Sequence, residues 1–104
     1  MSKDLTEQLA NLGFTDHQAK LYLAGLKLGT CLMIHLSKAA RVKRSTAYYA
    51  IEELERRRFF STKKIGKRTY YLAASPDKLV SMTLNRLKFV RKIYPHLKSI
   101  QNSK

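Results

Sequence analysis

Apolar positions along the chain keep a helical interval through most of the sequence and switch to strand-like runs only once, between residues 59 and 72. Over residues 2–11 and the leucine that follows them, Leu5, Leu9 and Leu12 fall on one face, and Gly13 supplies a helix end. Thr15-Asp-His-Gln18 has the spacing of a capping box with Asp16 in the first turn. Ala19, Tyr22, Leu23 and Leu26 then follow at i, i+3, i+4 and i+7 until Gly29 closes the element. Leu32, Leu36 and Ala39 predict a third helix over residues 31–40, with Thr30 or Cys31 as its cap. Ser45 and Thr46 open a fourth, whose buried face is Ala47, Ile51 and Leu54 with Tyr48 beside them; its other face carries Ser45, Tyr49, Glu52 and Arg56. Residues 59–64 and 68–72 are β-rich, and the Ile-Gly-Lys between them predicts a hairpin reversing at Gly66. Ser75-Pro76-Asp77 starts a last helix with the seam Val80, Leu84, Leu87, Val90, Tyr94 and Leu97. Pro95 falls within that seam and predicts a kink or break near residues 91–94, and residues 101–104 are expected to fray.

A helix, the turn Arg41-Val42-Lys43, a second helix and a cationic hairpin thus follow one another without a gap. That order is the outline of a winged helix-turn-helix, and it points at duplex DNA. The fold class expected is mainly α with a small β-hairpin wing, a winged helix-turn-helix plus a C-terminal dimerisation helix. Residues 1–74 would form the DNA-binding domain and residues 75–104 the dimerising helix. Two turns lack the glycine usual at such places. Arg41-Val42-Lys43 has none, and Arg58 stands where the fourth helix should end in a left-handed residue. Either Arg58 takes that conformation at a cost of about 1 kcal/mol, or the helix runs on or terminates differently.

Charge narrows the class of partner. The 104 residues carry 21 Lys and Arg against 7 Asp and Glu, a formal charge of +14. All the acids lie at or before Asp77, and everything after it is neutral or basic. Self-repulsion on that scale destabilises a compact monomer and is relieved by a polyanion, which on charge alone could be DNA, RNA or an anionic membrane. No apolar run approaches the roughly 20 residues that span a bilayer, and the start MSKDLTEQL is too polar for a secretory signal. Cys31 has no partner for an intrachain disulfide. A cytoplasmic, nucleoid-associated protein is expected.

Candidate chemistry is sparse outside this cationic set. No glycine-rich phosphate loop, nucleophile motif or cleft-like carboxylate pair is present, so no catalytic residues, metal site or cofactor are expected, and no small-molecule effector is evident. His17, His35 and His96 are too scattered for a metal cluster. Cys31 reads as a packed or capping thiol rather than an activated one. Arg56-Arg57-Arg58 reads first as a solvated run complementing a helix dipole, and only second as a phosphate grip. Glu52, Glu53 and Glu55 suit tuning of base preference better than proton transfer. Of Tyr70 and Tyr71, adjacent on a strand, one should pack inward. Tyr48 is expected to lie partly in the core and Tyr49 to be more exposed, with either hydroxyl within reach of a DNA backbone.

Three blocks of sequence carry a family likeness: LGFTDHQAKLYLAGLKLG, HLSKAARVKRSTAYYAIEELERRRFF and KRTYYLAASPDKL. Through them residues 12–79 resemble the winged-helix domain of the TrmB family of archaeal and bacterial transcriptional regulators, most specifically in the spacing of Arg44, Ser45, Thr46, Tyr48, Ile51 and Leu54. The resemblance implies a homodimer whose helix from Arg44 enters the major groove of a pseudo-palindromic operator, with the hairpin on the adjacent backbone or minor groove. Lys43 stands where a small polar cap would be usual, and Arg58 where glycine would be. Many family members continue into a sugar-sensing domain, so the chain is expected to be a short stand-alone member or a DNA-binding domain without its sensor, and sugar sensing is not carried over.

The resulting expectation is a homodimeric, sequence-specific binder of double-stranded DNA that acts on transcription as a repressor, with no membrane partner. Arg44, Ser45, Thr46 and Tyr49 would face the major groove, and Lys43, Lys64, Lys67 and Arg68 would meet phosphate or the minor groove, with Tyr48 adjoining. The last helix could be a dimer interface, a membrane-surface helix or an extra DNA-contacting arm; burial of Leu84, Leu87, Val90, Tyr94 and Leu97 against a second copy is favoured. The alternative is a chromatin-like architectural protein that coats DNA with little sequence preference.

Overall fold

The computed structural model describes residues 2–103. The chain divides after Ala74 into two compact units. The first contains α1 (Ser2–Ala10), α2 (Asp16–Leu28), β1 (Cys31–Leu32), α3 (Met33–Ala40), α4 (Arg44–Arg56), β2 (Phe60–Ile65) and β3 (Arg68–Ala73). The second is the single helix α5 (Asp77–Asn102). The fold is a winged helix-turn-helix, mainly helical with a small antiparallel sheet, as the sequence predicts.

Helix α2 is the hub of the first unit, packing against α1, α3, α4 and β3. Its start is the expected capping box: the Gln18 N–H donates to Thr15 Oγ1 at 3.2 Å, and the Thr15 N–H donates to Gln18 Oε1 at 3.1 Å. Because α2 is surrounded, its buried residues are Gln18, Ala19, Leu21, Tyr22, Ala24 and Gly25, a wider set than one stripe. Leu26, assigned to the core by its spacing, is 40% exposed, because neighbours cover the helix on Leu21's side instead. The same holds for α1, where Leu9 is buried while Leu5 and Leu12 remain exposed. Phe14, in the link to α2, fills the space expected of them and meets Tyr22 edge-on and Phe59 at a tilt, with centroids 5.6 and 4.9 Å away.

The third helix begins two residues later than its pattern predicts. Cys31 and Leu32 form β1, paired antiparallel with Tyr71 and Tyr70 of β3, so neither Thr30 nor Cys31 caps α3. The register also moves its stripe: Met33, Leu36, Ser37 and Ala40 are buried, and Ala39 is exposed. In α4 the expected face holds, with Ala47, Ile51 and Leu54 buried and Ser45, Tyr49, Glu52 and Arg56 exposed.

Both glycine-free turns adopt the geometry glycine would favour. Arg41 has φ +58 and Arg58 φ +67. At each, the residue's own N–H and the next donate back into the preceding helix: Arg41 to the Lys38 carbonyl and Val42 to Ser37, Arg58 to Glu55 and Phe59 to Leu54. The following residue, Val42 or Phe59, is buried, which completes the helix stop. Each left-handed arginine costs about 1 kcal/mol relative to glycine.

The sheet has strand order β1-β3-β2, and β2 and β3 pair from Phe60↔Ala73 to Ile65↔Arg68. That leaves Gly66 and Lys67 as a two-residue turn, with Gly66 at φ +65 in the first central position. Gly25 of α2 lets the sheet approach: a β-carbon there would lie 2.6 Å from the Phe60 ring and 2.9 Å from the Ala73 β-carbon. The Tyr22 hydroxyl donates to the Ala74 carbonyl at 2.8 Å, and burial raises its pKa.

In the second unit, Ser75 Oγ accepts the Asp77 N–H at 3.2 Å, the capping role its position predicts. Of the kink or break expected near residues 91–94, the break does not occur: α5 continues through Pro95 to Asn102. A proline removes one backbone bond, to the residue four before it, and the turns on either side carry the helix past it. Gln101 and Asn102, expected to fray, are helical, and beyond them Ser103 donates through N and Oγ to the Ile100 carbonyl. No residue of α5 is buried.

Candidate nucleic-acid interface

The start of α4 has no side-chain cap, since Lys43 occupies that place and makes no capping bond. The first-turn N–H groups of the helix are therefore free for an outside acceptor, and the macrodipole favours an anion there. Lys43, Arg44 and Ser45 are exposed around this end, and Thr46 is half-buried. Tyr49 is 79% exposed on the outer face, whereas Tyr48 is 48% exposed.

The wing meets this end of the helix across a cleft of about 360 Å³. Arg44 and Tyr48 line one side, Lys67, Arg68 and Thr69 another, and Leu32, Met33 and Ile34 part of the remainder. Three of the expected DNA-contacting cations therefore share one concavity with Tyr48, which borders the cleft rather than lying in the core. Lys64 does not line it. Pairing with Thr69 puts Lys64 on the same strand face as Thr62 and Tyr71, while Lys63 pairs with Tyr70 on the opposite face. The hairpin's cations are thus divided between its two faces. Lys43 stands outside the cleft lining as well.

The acidic residues of α4 are engaged locally. Arg56 pairs with Glu53 at 3.0 Å and Glu52 at 3.7 Å, and Thr62 Oγ1 donates to Glu55 Oε2 at 2.8 Å. The latter bond fastens β2 to α4. Exposed pairs of the Arg56 kind contribute less than about 1 kcal/mol each, so their main effect is to neutralise charge along the outer face. Arg57 is not the solvated residue its run suggests. Its guanidinium lies over Phe14 and Phe59, 5.2 and 5.1 Å from the ring centroids, and donates to the Gly13 carbonyl at 3.1 Å and to Gln18 Oε1 at 3.4 Å.

Tyr71 is the inward tyrosine of its pair, and its pKa is raised by burial first and then by Tyr48 and Glu55. Cys31 is buried with its thiol pKa raised by desolvation, the opposite of an activated thiolate. The cleft residues Leu32, Met33, Ile34 and Thr69 were not legible as site residues. They reach it through the β1–β3 pairing, for which a two-residue strand leaves no periodic signal. The seam residues Leu84, Leu87, Val90, Tyr94 and Leu97 are all 45–56% exposed on α5. Among the described residues no helix is long and apolar enough to cross a membrane, and no three His, Cys, Asp or Glu side chains could together hold a metal ion.

An uncapped, cation-ringed helix beside a cationic hairpin defines the winged-helix class of DNA-binding regulators. Residues 9–77 match the family described as the sugar-specific transcriptional regulator TrmB, and the chain belongs to that family. Solved structures share the fold. TrmBL2, an archaeal chromatin protein, superposes with a TM-score of 0.78 at 18% identity over 100% of this chain and 39% of its own. BpsR of Bordetella bronchiseptica gives 0.61 at 18% identity, over 98% of this chain and 70% of its own. A MarR family transcriptional regulator from Silicibacter pomeroyi gives 0.61 at 14%, over 98% and 64%. At these identities the likeness is one of fold, and the chain spans about two fifths of the length of TrmBL2. No curated protein matches the sequence.

Proposed function

We propose that the chain is a sequence-specific binder of double-stranded DNA that acts as a homodimer on the nucleoid and represses transcription by occupying a promoter. The observation that carries this reading is the cleft in which Arg44 of α4 meets Lys67 and Arg68 of the wing. A helix end and a hairpin that converge cations on one concavity can hold a single phosphodiester strand between them, which places the rest of α4 against base edges. Arg44, Ser45, Thr46 and Tyr49 read the major groove; Lys43, Lys64, Lys67 and Arg68 hold the backbone or minor groove, with Tyr48 adjoining. Residues 1–74 act as the DNA-binding domain, and the α5 seam supplies the dimer contact that sets half-site spacing.

A second reading has its own support. With +14 on 104 residues, the electrostatic attraction for any duplex is large, and TrmBL2, which shares the fold, is a chromatin protein. On this reading the chain coats DNA with little preference. Retention of genomic fragments by the purified protein at about 150 mM salt, followed by sequencing, separates the two. A two-fold-symmetric motif with half-sites about one helical turn apart identifies a regulator. Uniform retention, with a specific-to-nonspecific ratio below about 10, identifies a coating protein and removes the regulatory reading.

A further inference from the structure

Five described residues have positive φ, and three are glycines: Gly13, Gly29 and Gly66. The other two are arginines, Arg41 and Arg58, and they bracket α4. Both occupy the same position in the same kind of helix stop, where glycine meets no steric penalty. A large side chain kept at such a place points to a use for that side chain.

The two arginines differ in their surroundings. Arg58 follows Glu52, Glu53 and Glu55 at the carbonyl end of α4, where a cation is favourable within the protein itself. Arg41 lies in a stretch without a single acid, from His17 to Ile51, which holds Lys20, Lys27, Lys38, Lys43 and Arg44 as well. Lys38 already complements the end of α3, so a further cation gains little from the dipole and is repelled by its neighbours. Arg41 is exposed, and among the described residues its side chain makes no hydrogen bond or ion pair. It also precedes by three residues the Arg44 that lines the cleft. An anion outside the protein would satisfy it.

We propose that Arg41 binds a DNA phosphate beside the groove entered by α4, a backbone contact made from the turn rather than from the helix or the wing. This rests on the DNA-binding reading above. Arg58, roughly 20 Å away along the helix, makes no such contact and serves as the internal control.

The test uses the full chain, a duplex of about 30 base pairs, and salt titrations of binding for wild type, Arg41→Gly, Arg41→Lys and Arg58→Gly. Both glycine variants relieve a left-handed residue: Arg41→Gly should raise the unfolding midpoint by about 4 °C, and Arg58→Gly by less, because it also gives up a cation favourable at its helix end. Arg41→Gly should nevertheless bind about eightfold more weakly near 0.1 M salt, with the salt slope lower by about 0.9 per bound copy. Arg41→Lys should stay near wild type, and Arg58→Gly should keep the wild-type slope. Wild-type binding with an unaffected Arg41→Gly variant overturns the proposal alone, as does an equal loss in Arg58→Gly. Absence of wild-type binding at about 50 mM salt overturns the DNA-binding reading and this contact with it.

Discussion

Arg57 shows how much a single residue's role depends on what folds up against it. In sequence it is the middle of three arginines and indistinguishable from its neighbours. In the structure Arg56 pairs with glutamates, Arg58 turns the chain, and Arg57 clamps the α1–α2 link to the end of α4. Stacking on two rings and a bond to the Gly13 carbonyl are together worth about 2 kcal/mol. Urea unfolding of Arg57→Ala should show that loss, and Arg57→Lys should recover less than half of it, because an ammonium cannot stack and reach both acceptors in one plane. A wild-type midpoint in the alanine variant would mean the guanidinium is solvated after all. The signal that could have found this role is Phe14, an aromatic residue off every helical stripe that needs a lid.

At the scale of elements, what was legible was what is local. The capping box of α2, the buried face of α4, the glycine reversal of the wing and the serine start of α5 all depend on residues within a few positions of one another. Helix termini that look wrong by composition, at Arg41 and Arg58, still fold as stops because Val42 and Phe59 are buried just beyond them. What escaped depends on partners far along the chain: β1 exists because β3 lies beside it, and the burial of Leu21 rather than Leu26 follows from α2 being enclosed. Gly25 belongs here too. Alanine ordinarily favours a helix by about 1 kcal/mol over glycine, yet Gly25→Ala should cost a net 1–2 kcal/mol or so, because its methyl group meets the Phe60 ring and Ala73. Thermal unfolding measures the sign, and a stabilised variant would show that the sheet yields. For the wing, Lys67→Ala with Arg68→Ala should weaken binding to every duplex alike and lower the salt slope by about 1.8 per bound copy. An unchanged slope would take the hairpin out of the interface.

For the molecule as a whole, charge and association oppose each other. Around its apolar seam α5 carries cations and no acid beyond Asp77, so two copies joined along it would repel by charge while their apolar residues attract. On the proposed dimer, contact through Leu84, Leu87, Val90, Tyr94 and Leu97 should accordingly tighten as salt rises, since screening weakens repulsion and leaves burial intact. Sedimentation equilibrium at about 50 and 500 mM salt measures this, and Leu87→Glu should yield monomers at both. A variant that stays dimeric would move the interface elsewhere. DNA binding has the opposite salt dependence, so the protein should assemble best where it binds least and rely on the duplex to bring copies together. The short strand β1 bears on that encounter. A lone two-stranded ribbon is marginal in water, and a reader built on one would have to freeze it at each binding event. Here Cys31 and Leu32 give β3 a second neighbour at Tyr71 and Tyr70, so on the proposed function the base of the wing is held before any duplex arrives, and binding would be spared the entropy of ordering it.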